Sequence, residues 1–327
     1  MPVTEGFLAP RFPAVAPSRP HYESIYLTAT HPNEPSAFWI RYTMSKPADG
    51  EVRASVWFTH FRADGVRAGK VTVPIGAQPS LGMTIDEVGA VDPAGARGSL
   101  TTPTVTASWD LAFGGGADPM THLRRHWMYV SPIPKTKSTS PHPDLRLSGT
   151  VTVDGVAYVL DGWRGMLGHN WGSQHALRWV WLRGAGFAED PDAWLDVVIG
   201  KIKVGPMTLP WFCNGLAYLD GKRVRIGGAY RLPKIIERAD GADISLRAPG
   251  LSLTAEVTAP LTRSVGWEYA DPGGDTHQVR NCSAAGMTLT ITGRGGSPTV
   301  LTSDHGCVYE LGTHEHNPAV TMQPYTD

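Results

Sequence analysis

The stretch LRLSGTVTVDGVAYVL, residues 145–160, decides the fold. Leu145, Leu147, Val151 and Val153 alternate with Arg146, Ser148, Thr150 and Thr152, the period of a strand with one apolar face. The run stops at Asp154-Gly155 and resumes at Val156. Asp and Gly accept the left-handed backbone of a two-residue turn, so the stretch reads as an antiparallel hairpin. The same device recurs at Asp64-Gly65, Asp220-Gly221 and Asp240-Gly241. Period-two segments continue outward from residue 23 to residue 312, among them Ala37 to Met44, Val52 to Phe61, Leu177 to Phe187 and Trp194 to Val204. No window carries apolar i, i+3, i+4 spacing long enough for a core helix. The expectation is an all-β, antiparallel chain with less than roughly a tenth of its residues in helix, against ~30–35% on average.

Composition points the same way. With 37 Gly and 27 Pro in 327 residues, the chain is punctuated too often for long helices, while 41% hydrophobic residues suffice for a large core. Many short strands close most readily into barrels or sandwiches, and this length suits two such units better than one. We place an N-terminal extension at 1–20, a first β-barrel at 21–175 and a second at 176–327. Ser131 to Pro143, with four prolines, reads either as a linker or as a long barrel loop.

The 29 basic and 30 acidic side chains leave a net charge of −1 and no long basic run, which excludes the electrostatic footprint of a binder of nucleic acid or anionic membrane. The first twenty residues lack the basic-then-apolar build of a secretion signal, and no run of about 18 apolar residues follows. A soluble, cytoplasmic protein is expected. Cys213, Cys282 and Cys307 form no C-x-x-C pair and read as buried free thiols. Gly114-Gly115-Gly116 and Gly293-Arg294-Gly295-Gly296 lack the strand-to-helix setting of a phosphate loop. No nucleotide, metal or other cofactor is expected.

Chemistry is densest between residues 162 and 196. The run GWRGMLGHNWGSQHALRWVW, residues 162–181, holds four tryptophans and two histidines. On a strand over Leu177 to Phe187, Trp179, Trp181 and Arg183 share a face with His175, opposite Arg178, Val180 and Leu182. Trp beside His makes a large apolar wall with a polar handle, as a site for an apolar ligand requires. In AWLDVVI, residues 193–199, Asp196 is the only charge, with Trp194 on the same face. Desolvation disfavours an ionised carboxyl. Such an acid either pairs with Arg164, Arg178 or Arg183 across the sheet, or stays neutral and can donate a proton. An aromatic face beside it would stabilise a developing carbocation.

This stretch resembles the hydroxyneurosporene synthase (carotenoid 1,2-hydratase) family. The likeness lies in His169-Asn170-Trp171-Gly172, the aromatic strand with Trp179 and Trp181, and the aromatic-x-acid pattern at Trp194 and Asp196. It implies tandem lipocalin-like barrels, shared with tocopherol cyclase-like and fungal Diels–Alderase-like proteins. It also implies a cofactor-free enzyme that protonates an isoprenoid alkene, with Asp196 as the acid and Trp171 and Trp194 as pocket aromatics. Gly168 stands where the carotenoid hydratases usually have an acid, and Val180 where they often have the middle residue of Trp-Asp-Trp. The resemblance looks closer to bacterial relatives with Gly-His-Asn-Trp-Gly than to the carotenoid enzymes.

The leading functional reading is an acid-initiated hydratase, cyclase or isomerase acting on an apolar isoprenoid-like substrate in a Trp-lined barrel pocket, expected near the contact between the two units. Asp196 donates the proton, His169 or His175 orients it or relays its proton, and Asn170, Trp171, Trp179, Trp181 and Trp194 hold the substrate. Two others stand beside it: a non-catalytic carrier of a hydrophobic ligand, and a pericyclase that needs shape rather than acid. Glu268 and Glu310 are candidates for a second acid or base. His314 and His316 share one strand face and would need a third ligand to bind a metal, so a solvated terminal strand is the preferred reading. Trp39, Arg41, Thr43 and Trp57 read as core or pocket wall of the N-terminal barrel.

Overall fold

The computed structural model describes residues 5–16, 18–48, 50–228, 230–315 and 320–325. The first sheet contains β1 (His21–Thr30), β2 (Ala37–Lys46), β3 (Arg53–Arg62), β4 (Gly65–Pro74), β5 (Met83–Ile85), β6 (Gly89–Val91), β7 (Gly95–Thr101), β8 (Thr106–Gly116), β9 (Met120–Thr121), β10 (Thr136–Val153) and β11 (Val156–Gly172). Its order is β4-β3-β2-β1-β11-β10-β8-β7-β6-β5, with β9 on β10. The connector 173–177 leads to β12 (Arg178–Gly184), β13 (Trp194–Lys201), a ribbon of β14 (Lys203–Val204) and β15 (Met207–Thr208), β16 (Phe212–Leu219) and β17 (Lys222–Gly227). Then follow β18 (Lys234–Arg238), β19 (Gly241–Ala248), β20 (Leu251–Thr258), β21 (Val265–Ala270), β22 (Thr276–Gly293) and β23 (Thr299–Thr313). The second sheet runs β17-β16-β13-β12-β23-β22-β20-β19-β18, with β21 on β22, and the pairings between named strands are antiparallel throughout. The helices are single turns, α1 (Glu5–Leu8) and α2 (Trp127–Val130) among them. No helix among the described residues is long and apolar enough to cross a membrane. The chain is all-β with two barrel-like sheets, as expected.

The hairpin that opened the reading forms as its chemistry demands. Asp154 and Gly155 take φ of 49° and 83°, and Val153 pairs with Val156. Asp220 and Gly221 repeat the geometry at 48° and 71° between β16 and β17. The proline-rich stretch is neither linker nor loop from Thr136 onward, because β10 runs through it. Its register against β11 shifts between Thr139 and His142 and again between His142 and Leu145. Pro141 and Pro143 sit at those irregularities, where a missing N–H costs the ladder nothing.

Each sheet wraps its own apolar core. Ile25, Leu27, Phe38, Ile40, Val56 and Phe58 fill the first, and Leu8 and Phe12 of the N-terminal segment join them. Val180, Leu182, Leu195, Val197 and Ile199 fill the second. The opposite faces meet in a third cluster, where Tyr26, Trp39, Trp57 and Phe61 pack on Trp179, Trp181, Trp267 and Tyr269. All ten residues of β1 are therefore buried, on both faces. Trp39, Arg41 and Trp57 accordingly belong to the junction rather than to the inside of the first barrel. Strand alternation gives the inside to Phe38, Ile40 and Tyr42.

Candidate active site

Between the two sheets lies a cavity of about 530 Å³. The first sheet contributes Tyr26, Trp39 and Arg41, and the second Trp179, Trp181 and Glu310. The cavity lies outside both barrel cores, near the contact between the two units. The reason is the same alternation: Val180 and Leu182 turn inward on β12, which aims the intervening indoles at the junction.

Two buried carboxylates belong to this wall, Glu310 in it and Asp196 behind it, each held by an indole. Trp181 Nε1 donates to Asp196 Oδ1 at 3.0 Å, and Trp179 Nε1 donates to Glu310 Oε1 at 3.0 Å. Asp196 is 0% exposed and is not itself a wall residue. Its second oxygen lies 3.3 Å from His122 Nε2, within ion-pair distance though outside hydrogen-bond geometry. The other nitrogen of His122, Nδ1, is 3.2 Å from Ser138 Oγ, and both His122 and Ser138 line the cavity. Glu310 has more support, from Asn281 Nδ2 at 3.0 Å and the Tyr269 hydroxyl at 3.4 Å. Tyr26 packs edge-on against Trp181 at 5.1 Å. Burial, reinforced by Asp196 and Glu310, pushes the Tyr26 phenol well above its ordinary value and keeps it neutral.

The arginines expected to neutralise Asp196 are engaged elsewhere. Arg183 lies opposite Asp196 in the β12–β13 register, yet its Nη2 donates to Gly165 O at 2.8 Å and approaches Asp144 Oδ1 at 3.4 Å. Arg164 pairs with Asp144 at 2.5 Å, and Arg178 with Glu237 and Glu315. Among the described residues, His122 is the one basic side chain within 4.0 Å of Asp196.

The other site residues read from sequence divide between the cavity and elsewhere. His175, Trp179, Trp181 and Asn170 line it. His169 does not reach Asp196, because alternation along β11 turns it, like Leu167, toward the first barrel. There its Nε2 meets Glu23 Oε1 of β1 at 2.7 Å and its Nδ1 meets Phe7 O of the N-terminal segment at 2.7 Å, so both nitrogens are spent away from the cavity. Burial raises the Glu23 carboxyl, but His169 and the backbone N–H groups of Arg11 and Phe12 outweigh it and hold Glu23 below its ordinary value. Trp171 packs on His169 at 4.8 Å under the Arg11 guanidinium, away from the cavity wall. Trp194 is buried with Met120, Ala185 and Leu216 and stacks on Tyr218 at 6.2 Å. His175 faces Asp271, with Nδ1 at 2.6 Å from Oδ1, rather than Asp196. Glu268 is absent from the lining, and His316 lies outside the described residues. Sequence reading passed over His122 and Ser138, which stand in no periodic run; the pairing of β9 with β10 brings them together.

No family model matches the chain. It is 26% identical over 296 residues to an uncharacterized protein of Mycobacterium tuberculosis, found in strains CDC 1551 and H37Rv, covering 88% of this chain and 86% of that one. Its fold is similar to that of CghA, solved with Sch210972, at a TM-score of 0.58 and 16% identity, over 95% of this chain and 93% of the other. It is also similar to an AttH-like protein from Nitrosomonas europaea, at a TM-score of 0.55 and 11% identity, over 90% and 92%. The two-barrel architecture implied by the motif around His169 is thus shared over nearly the whole chain.

Proposed function

We propose that the chain is a hydratase- or cyclase-type enzyme that protonates an alkene of an apolar, isoprenoid-like substrate in the junction cavity. The observation that carries this reading is Asp196: a fully buried carboxyl without an arginine partner, bonded to an indole and next to an imidazole that both line the cavity. In this mechanism Asp196 supplies the proton and His122 passes it across the cavity wall. The proton adds to one alkene carbon and leaves a cation on the other. Trp39, Trp179 and Trp181 line the cavity and offer that cation their π-systems. Capture by water gives hydration once the oxonium sheds a proton, capture by a second alkene gives cyclisation once the new cation sheds a neighbouring proton, and direct loss of a neighbouring proton gives isomerisation; each outcome returns one proton to Asp196. The step uses side chains of this chain alone. CghA, solved with Sch210972, is a precedent for a small organic ligand on this fold. Three buried free thiols fit a reducing, cytoplasmic setting.

The test is incubation with a panel of linear terpenoids and polyenes, read by mass spectrometry for gain of water or for isomers. Asp196→Asn should lose at least about a hundredfold in turnover while keeping substrate affinity, because the amide preserves shape but cannot donate the proton. His122→Gln should lose turnover about tenfold or more while keeping substrate affinity, because the amide cannot pass the proton on. Full activity in a folded Asp196→Asn variant would remove the acid mechanism and leave the pericyclic one.

A further inference from the structure

A second titratable cluster borders the cavity where the connector meets the second sheet. His175 belongs to the connector, while Asp271 and His277 flank the turn between β21 and β22, which is closed by Asp271 N to Asp275 O at 2.7 Å. One ligating atom from each of the three residues lies within 4.8 Å of the others. Asp271 Oδ1 accepts the backbone N–H of His175 at 2.8 Å and faces its Nδ1, while Oδ2 is 3.8 Å from His277 Nδ1. The side chains of Asp271 and His277 are 1% and 0% exposed. Yet Asp271 Oδ2, both ring nitrogens of His277 and Nε2 of His175 lack a hydrogen-bond partner. Buried polar atoms are nearly always paired, so four orphans in one place ask for an occupant.

Two imidazoles and a carboxylate are a donor set that suits a cation. His314 stands beside them, its ring centroid 3.9 Å from that of His277. Its Nδ1 lies 2.8 Å from Thr276 O, and a proton donated there leaves Nε2 as a lone pair.

We propose that His175, Asp271 and His277 bind a divalent transition-metal ion of the zinc type, with His314 as the nearest additional donor. Imidazoles with one carboxylate match zinc and its neighbours rather than calcium or magnesium, which take oxygen ligands. Tetrahedral donors at ~2.0 Å from zinc stand roughly 3.3 Å apart, so the cluster must contract on loading. The ion would fasten the connector to the β21–β22 hairpin. It would also fix Tyr22, which stacks on His175 at 4.3 Å. Proton donation by Asp196 does not depend on this site.

Full-length protein stripped with a chelator is titrated with Zn²⁺ by calorimetry and with Co²⁺ by visible absorption. One ion per chain is expected, with the ligand-field bands of a low-coordinate Co²⁺ site. His277→Gln and Asp271→Asn should each weaken binding about tenfold or more, with circular dichroism unchanged. The exposed His126→Gln should bind as the parent does. Absence of stoichiometric binding, or parental affinity in either folded cluster variant, would overturn the proposal.

Discussion

At Gly168 a Cβ would stand 2.3 Å from the Tyr26 ring, which is itself pressed edge-on against Trp181. The glycine therefore lets Tyr26 approach β11 and cover the indole that holds Asp196. Gly168→Ala should destabilise the chain by about 1–3 kcal/mol, as overpacking of a full core does, and should disturb the acid through Trp181. Urea unfolding followed by tryptophan fluorescence checks it, and an unchanged midpoint would show that Tyr26 has room to move. The same position marks how far the site could be read in advance. Trp179 and Trp181 were legible because strand alternation alone brings them to one face, which His175 joins from the connector. His169 and Trp171 misled because the motif that singles them out says nothing about which face of β11 looks at Asp196. His122 was invisible, since a pairing between β9 and β10 places it.

Elements followed sequence closely wherever turn chemistry was explicit. Asp220 has φ of 48°, a backbone that Asp tolerates and a β-branched residue does not. Asp220→Gly should be nearly neutral, whereas Asp220→Val should cost about 1–2 kcal/mol, readable as a paired shift in thermal midpoints. The long strand β10 was hidden for the complementary reason. Prolines ordinarily break strands, and only a bulged register admits two of them within four residues. Local propensity carries no information about such a bulge, because the partner strand sets it. Which residues reach the cavity was likewise legible only in part, since periodicity separates two faces of a strand but does not say which becomes the inside of the barrel.

At the scale of the whole molecule, burial makes the fold sensitive to acid. Burial, more than any neighbouring charge, lowers His21 and His60 to about 4 from an ordinary value of 6.5. Above pH 6.5 both are neutral whether the chain is folded or not. As pH falls from 6.5 toward 4 the unfolded chain takes up protons that the folded one refuses, so stability is lost across that window. The loss should reach roughly a few kcal/mol, seen as a falling urea midpoint between pH 7 and 4.5 and reduced in His60→Gln. A flat profile would mean that water reaches both rings. The face shared by the two barrels also orders events in time during synthesis. The first sheet can close once Gly172 has emerged, because β1 pairs with β11. Trp39 and Trp57 on its outer face then wait for Trp267, which packs 6.3 Å and 5.0 Å from them and is translated far later. At 5–20 residues per second that interval is on the order of five to twenty seconds. Throughout it the nascent chain carries an uncovered tryptophan surface, the kind that holding chaperones bind, and slower translation between residues 172 and 267 would lengthen the exposure.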